Sequence, residues 1–211
     1  MAYILYNMTF NEIYEPVIYK KFEEGYTTVS STHMSARVAF GGVYAYYKSN
    51  QGTMFGIDFW ESKLEDHVDD MRPHEVLSLL EAFKDNRRLH RDHIREKMDS
   101  QFKKLLMDKW NDQVHNNQAV LFGLARELHA LQYYDHELWK LMIDSAINKG
   151  KINNTYYFVD MHRIMLDLNS NKDAKNLYKN LDKKIKEFLK RHYTENRKWK
   201  YDAENAHKLS L

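Results

Sequence analysis

The chain has 211 residues, of which 43% are hydrophobic and 29% are charged, a balance typical of a folded protein and not of a disordered one. Only 7 glycines and 2 prolines are present, too few for the many tight turns of sandwiches, barrels and Rossmann-type sheets, so helices are favoured. The absence of cysteine excludes disulfides, cysteine nucleophiles and thiolate-bound metals.

The first 34 residues are expected to form an N-terminal helix and a linker. Thr9 and Glu12 have the spacing of a capping box and predict a helix that ends at Gly25. Pro16 lies inside this helix, where it either produces a kink or marks the true first turn. Residues 26–32 are prone to β structure but short, and are interpreted as a linker.

The segment 35–195 is expected to be one domain of helical hairpins, followed by a polar tail at 196–211. Apolar residues at helical spacing predict helices over 36–48, 59–71, from Pro73 to about 84, 90–110, 118–131, 135–148, 155–168 and 173–193. Ser35, Asp135 and Thr155 are the expected caps. Gly41 and Gly42 lie within an apolar helical run, which indicates close helix packing and not phosphate binding.

These helices form pairs that recur along the chain. The first helices of the pairs end near Tyr47, Phe83, Leu131 and Leu168, in steps of 36, 48 and 37 residues. A hairpin cannot bury its apolar stripe alone, so stacked neighbours share a core. The predicted fold class is therefore all-α, either a short α-solenoid or an irregular bundle of three to four stacked helical hairpins.

The segment 124–147 carries a Leu-rich helix with Leu128 and Leu131, then the turn Tyr133-Tyr134-Asp135, then Glu137-Leu138-Trp139 at the start of a second helix. It resembles one unit of the degenerate helical-hairpin repeats of organellar proteins, the octotricopeptide and heptatricopeptide class. This resemblance implies either organellar RNA binding or a scaffold role in protist mitochondrial assemblies. The chain is short and lacks the C-terminal nuclease-like module of many RNA-binding members, which favours the scaffold.

Charge is distributed unevenly along the chain. Residues 1–85 hold 7 basic and 13 acidic side chains, a net of −6, whereas residues 172–211 hold 12 basic and 6 acidic side chains, a net of +6. The lysine-rich arm predicts contact with an acidic protein, an anionic lipid surface or RNA, unless it is simply a solvated helix face. The candidate contacts for an anionic partner are Arg87, Arg88, Arg91, Arg95, Lys183, Lys184 and Lys190.

Aromatic residues are concentrated in the N-terminal half, where eight tyrosines lie within the first 47 residues. Tyrosine and tryptophan are favoured at protein interfaces, because they bring a large contact area at low entropic cost. A tyrosine-rich core is the alternative interpretation. The candidate contacts for a protein partner are Tyr44, Tyr46, Tyr47, Phe55, Trp60 and Trp199.

No motif of a known catalytic chemistry is present. The chain lacks a nucleophile elbow, a Walker loop and a dinucleotide-binding glycine pattern. His90 and His93 could form one edge of a metal site, but no further ligands follow at a suitable spacing and four arginines surround them. We therefore expect neither an enzyme nor a cofactor, and no transmembrane segment, because the most apolar stretch, 38–57, contains four glycines and several polar residues.

These observations predict a non-catalytic accessory subunit that binds other protein subunits of a large complex. The resemblance implies a mitochondrial inner-membrane assembly, either a respiratory-chain complex or ATP synthase, with this chain as a peripheral scaffold. An organellar RNA-binding protein or a mitoribosomal subunit is the alternative. The net charge of +2 is low for a protein buried in ribosomal RNA, which favours the first interpretation.

Overall fold

The computed structural model describes residues 2–26, 34–84, 86–148 and 155–195. Helix accounts for most of these residues, and none of them belongs to a β-strand, so the predicted all-α class is confirmed. The α-helices are α1 (Ala2–Phe10), α2 (Pro16–Tyr26), α3 (Ala36–Ser49), α4 (Met54–Glu65), α5 (Pro73–Lys84), α6 (Arg91–Lys97), α7 (Lys103–Asp108), α8 (Gln118–Ala130), α9 (His136–Asn148), α10 (Thr155–Ser170) and α11 (Lys175–Glu195). A 3₁₀-helix spans Val68–Asp70, and π-helical turns span Met98–Phe102 and Trp110–Val114.

The chain divides into two compact units, Met1–Gln113 and Val114–Leu211. In the first unit, α3 is the central helix and packs on α1, α4 and α5. In the second unit, α8 packs on α10 and α9 packs on α11, while α8–α9 and α10–α11 also contact each other as pairs. The first helices of the two hairpins, α8 and α10, therefore pack on each other, and so do the second helices, α9 and α11. This is the arrangement expected of stacked hairpins.

The N-terminal segment contains two helices where one was predicted. Thr9 lies in the last turn of α1, which ends at Phe10, so Thr9 and Glu12 do not form the proposed capping box. Glu12 adopts a left-handed conformation with φ of 57°. α2 then begins at Pro16, whose fixed φ and missing N–H suit the first turn of a helix. The hydroxyl groups of Thr9 and Tyr19 are hydrogen-bonded at 2.7 Å, which ties the two helices together.

The predicted helix over 90–110 is present but interrupted. α6 continues through the π-helical turn Met98–Phe102 into α7, so the apolar stripe that includes Ile94, Met98 and Phe102 stays buried. The helix predicted over 59–71 is shifted, because α4 begins at Met54 and ends at Glu65. The loop between α3 and α4 therefore spans only residues 50–53.

The turn between α8 and α9 has the structure that its sequence suggests. Asp135 Oδ1 accepts a hydrogen bond from the Leu138 backbone N–H at 2.9 Å, as expected of a helix cap. Gln132 takes the left-handed conformation that ends α8, with φ of 55°. Trp139 is fully buried, and its indole N–H donates to the Tyr133 carbonyl oxygen at 2.7 Å. The residues that carry the family resemblance therefore form this connection.

Gly42 confirms the predicted close approach of helices. A side chain at this position would overlap the Trp60 ring, so only glycine lets α4 lie this close to α3. Two expectations lie outside the described residues: the linker over most of 26–32 and the polar tail at 196–211.

Candidate functional site

Two exposed apolar side chains directly follow one loop of the first unit. Met54 and Phe55, at the start of α4, are 44% and 59% exposed. We refer to these two residues, with the loop 50–53, as the loop surface. Isolated exposed apolar residues are common, but two large ones in succession make this loop the candidate binding surface of the unit.

The loop itself is held by specific hydrogen bonds. Glu23 Oε1 on α2 accepts from the Thr53 backbone N–H at 2.6 Å, and the Arg88 guanidinium donates to the Gly52 carbonyl oxygen. Gly52 has φ of 78°, a conformation that L side chains rarely adopt, and the Tyr46 ring occupies the space beside it. Since the loop is fixed before any partner arrives, little entropy is lost when Phe55 is covered.

A shallow depression of about 390 Å³ lies between α2 and the loop. Its lining contains charges of both signs, including Lys20, Glu23, Glu24 and Arg88, together with Pro16. An exposed apolar side chain, such as that of Phe55, with charged residues around it is the usual organisation of a protein–protein contact.

A second set of aromatic side chains joins α1 to α3. The Tyr6 ring lies 5.2 Å from Tyr44, 6.1 Å from Phe40 and 6.2 Å from Phe10, measured between ring centroids. Phe40 is buried, whereas Phe10 is 66% exposed. Tyr44 therefore packs within this cluster and is only partly available to a partner.

Three of the predicted partner contacts are wrong. Tyr46, Tyr47 and Trp60 are at most 1% exposed, so the alternative of a tyrosine-rich core holds for them. Their helical spacing indicated burial but could not say whether another helix of this chain or a partner would cover them. Phe55 is exposed as predicted, while Trp199 lies outside the described residues.

A buried polar network links α3, α4 and α6 within the first unit. The Glu61 side chain is only 7% exposed, and its Oε1 accepts hydrogen bonds from the Tyr47 hydroxyl at 2.6 Å and from His93 Nε2 at 2.7 Å. Lys97 Nζ lies 3.1 Å from Glu61 Oε2 and donates to Glu65 Oε1 at 2.8 Å. With three donors around it, the Glu61 carboxylate is arranged to hold helices together and not to take a proton from a substrate.

The pKa values of Glu61 and His93 are shifted in the directions that favour the charged forms of both side chains. Burial alone would raise the pKa of Glu61, but the hydrogen bonds from His93 and Tyr47 and the charges of His93 and Lys97 lower it. The hydrogen bond to Glu61 raises the pKa of His93 despite partial burial. Burial, with the adjacent Glu61 charge, raises the pKa of Tyr47 well above its usual range, so the hydroxyl stays protonated and acts as a donor.

The predicted arginine contacts lie in the first unit. Arg87 and Arg91 are exposed, and Arg88 is exposed while it holds the Gly52 carbonyl. Arg95 Nη1 is 3.3 Å from Asp92 Oδ1 on the same helix, which partly neutralises it. Of these four arginines, Arg88 borders the loop surface. Because Arg95 is paired with Asp92, the four do not form a purely cationic site.

The predicted lysine contacts lie on α11 in the second unit. Lys183 and Lys190 are exposed, whereas Lys184 is ion-paired with Asp144 of α9 and belongs to the packing of the two helices. Lys184 is therefore a weaker candidate for an external anion than its neighbours.

The histidines do not form a metal site in the described part of the chain, where no cluster of three or more potential ligands is found. His93 is hydrogen-bonded to Glu61, and His90 precedes the first residue of α6. Within the same residues, no helix is long and apolar enough to cross a bilayer.

Comparison with known proteins does not assign the chain to a family. No protein-family model matches it, and no curated protein matches its sequence. The resemblance to organellar helical-hairpin repeats stays a prediction based on the residues of the α8–α9 connection.

Proposed function

We propose that this chain is a non-catalytic helical subunit that binds another protein through the loop surface of its first unit. The observation that carries the proposal is Phe55, a large apolar side chain that is 59% exposed at the end of a loop held by Glu23 and Arg88. Exposing an aromatic residue on a fixed loop gains nothing for the isolated fold. In a complex, the same residue would act as a preorganised anchor for a partner pocket.

Two further features support a protein partner. Met54 extends the apolar area next to Phe55, and the charged depression beside the loop supplies a rim that can select the partner. Phe10 and Ile13, 66% and 48% exposed, provide additional apolar area at the α1–α2 turn of the same unit.

The narrower proposal is that the partner belongs to a mitochondrial inner-membrane assembly, either a respiratory-chain complex or ATP synthase. It rests on the resemblance of the segment 124–147 to organellar helical-hairpin repeats, some of which serve as scaffold subunits. The acidic N-terminal half and the basic C-terminal arm suit a subunit that contacts more than one neighbour.

The experiment uses the tagged chain expressed in its own cells, with membranes solubilised in mild detergent and separated on a native gel. We expect the wild type to migrate with a large assembly, and a Met54→Ser, Phe55→Ser variant to be released from it. Leu166→Ser is the matched control, because Leu166 is 53% exposed but lies on α10 in the second unit.

Circular dichroism of the purified variants confirms that they are folded. A wild-type protein that migrates alone, or a loop variant that stays in the assembly, contradicts the proposal. Co-sedimentation of the wild type with ribosomal RNA supports the mitoribosomal alternative instead.

A further inference from the structure

Exposed lysines form a straight stripe along α11. Six lysines follow one another at spacings of three or four residues, the first of them just before the helix begins, and all six are exposed. At about 100° per residue, this spacing keeps the five within the helix on one narrow face. These lysines, which we call the lysine stripe, are Lys172, Lys175, Lys179, Lys183, Lys186 and Lys190.

The stripe faces away from the core of the second unit. The buried residues of α11 are Leu177, Leu181, Ile185 and Phe188, which recur at the same helical spacing on the opposite side. From Lys175 to Lys190 the stripe is about 22 Å long, at 1.5 Å per residue. Asp182 is paired with one lysine of the stripe, Lys186, at 2.8 Å. Because the stripe holds six lysines, its face keeps a clear excess of positive charge.

The composition of this face argues against a protein partner. Protein interfaces bury apolar and aromatic side chains at their centre and are depleted of lysine. One flank of the stripe carries Asn176 and Asn180 and the other carries Tyr178 and Asp182, so a docked helix would have no continuous apolar seam to cover.

The composition also argues against RNA as the preferred ligand. RNA-binding surfaces combine cations with aromatic rings or arginine planes on which bases stack. The stripe consists of lysines without arginine, and the ring beside it, Tyr178, is hydrogen-bonded through its hydroxyl to Asp182. Lysine is a point charge that reads no bases, so the stripe offers RNA only non-specific phosphate contacts. A flat polyanionic surface, in contrast, can contact every lysine of the row at once.

We propose that the lysine stripe of α11 binds the surface of a bilayer that contains anionic phospholipids. The four-carbon lysine stems let the ammonium groups reach the head groups while the helix stays above them. This inference rests on the proposed function and deepens it, because it names the lipid surface that a peripheral subunit of a membrane assembly would contact. Binding is electrostatic and therefore decreases as salt is added.

The test is co-sedimentation of the purified full chain with vesicles. We expect binding to vesicles of phosphatidylcholine mixed with phosphatidylserine at low salt, and none to phosphatidylcholine alone. The stripe variant changes Lys172, Lys175, Lys179 and Lys183 to glutamine, which keeps helix propensity. Each lysine near an anionic surface increases partitioning roughly fivefold, so the loss of four should reduce binding by two to three orders of magnitude, about 600-fold if each lysine contributes fully.

Two controls separate position from net charge. The matched variant changes four exposed lysines elsewhere, Lys21, Lys84, Lys104 and Lys140, to glutamine and should keep most of the binding. A variant with arginine at the four stripe positions keeps the charge and should bind as the wild type does.

Three results would overturn the proposal: equal binding to neutral vesicles, equal loss in the stripe and matched variants, or binding of duplex or single-stranded RNA through the stripe without any lipid binding. The assay contains no partner protein, so its failure leaves the proposed protein contact at the loop surface standing. A protein that binds vesicles but migrates alone from cells would contradict that contact and not the lipid site.

Discussion

Changing Glu61 to glutamine tests whether the buried network stabilises the first unit through charge. Glutamine has the same shape, and its carbonyl oxygen can still accept from Tyr47, but its amino group would face Lys97. Hydrogen bonds to a charged group contribute roughly 1.5–3 kcal/mol each. Because Lys97 and His93 are 18% and 25% exposed, water screens part of the loss. We expect the free energy of unfolding to fall by about 2 kcal/mol near neutral or mildly acidic pH.

The pH dependence follows from the directions of the two pKa shifts. The pKa of His93 is raised in the folded state, so its stabilisation is complete below the usual value of 6.5 and is lost as the pH rises through the raised value. The pKa of Glu61 is lowered, so its stabilisation is present above the usual value of 4.5 and is lost as the pH falls through the lowered value. The network therefore contributes most between these two usual values.

The assay is urea unfolding followed by circular dichroism at a series of pH values. The wild type should lose stability as the pH rises from 6.5 through the raised pKa of His93, whereas the Glu61→Gln variant should lack this component. Glu65→Gln is the control, because Glu65 shares Lys97 but is 47% exposed, and its loss should cost less than about 1 kcal/mol. A Glu61→Gln variant that is as stable as the wild type, or that keeps the same decline with pH, would refute the argument.

Three further changes test the packing by chemical denaturation. Gly42→Ala should cost about 1–3 kcal/mol because the added methyl group overlaps the Trp60 ring, whereas Gly25→Ala, with open space around it, should cost nothing measurable. Asn86→Ala should cost about 2 kcal/mol, since its side chain bonds the Tyr46 carbonyl and two backbone N–H groups; an unchanged midpoint would show that these bonds are dispensable. Asp135→Ala should cost about 1 kcal/mol through the lost cap of α9, and an equal loss with asparagine would assign the effect to charge instead.

The sequence predicted the helices well where local signals were complete. Pro73 marks the start of α5 as expected, and the turn at Gln132 and the cap at Asp135 define the α8–α9 connection. Ser35 directly precedes α3 as predicted, but its side chain makes no capping hydrogen bond. These signals are local, because a cap or a helix start depends on residues within one turn of the chain. The division at Pro16 was ambiguous, since a proline either kinks a helix or begins one.

The candidate sites depended on contacts that only the tertiary structure provides. Helical periodicity put Tyr46 and Trp60 on apolar faces but could not tell a core from an interface, and both are buried within the chain. The Glu61–His93 pair joins residues 32 positions apart, a separation for which the sequence carries no signal. Phe55 was recognisable as apolar, but its exposure and the loop that holds it depend on Glu23, which lies 30 positions from Thr53. Local capping and periodicity determined the all-α class and most helix positions, although not the separate α1 or the start of α4 at Met54. Long-range packing decided which side chains stayed on the surface.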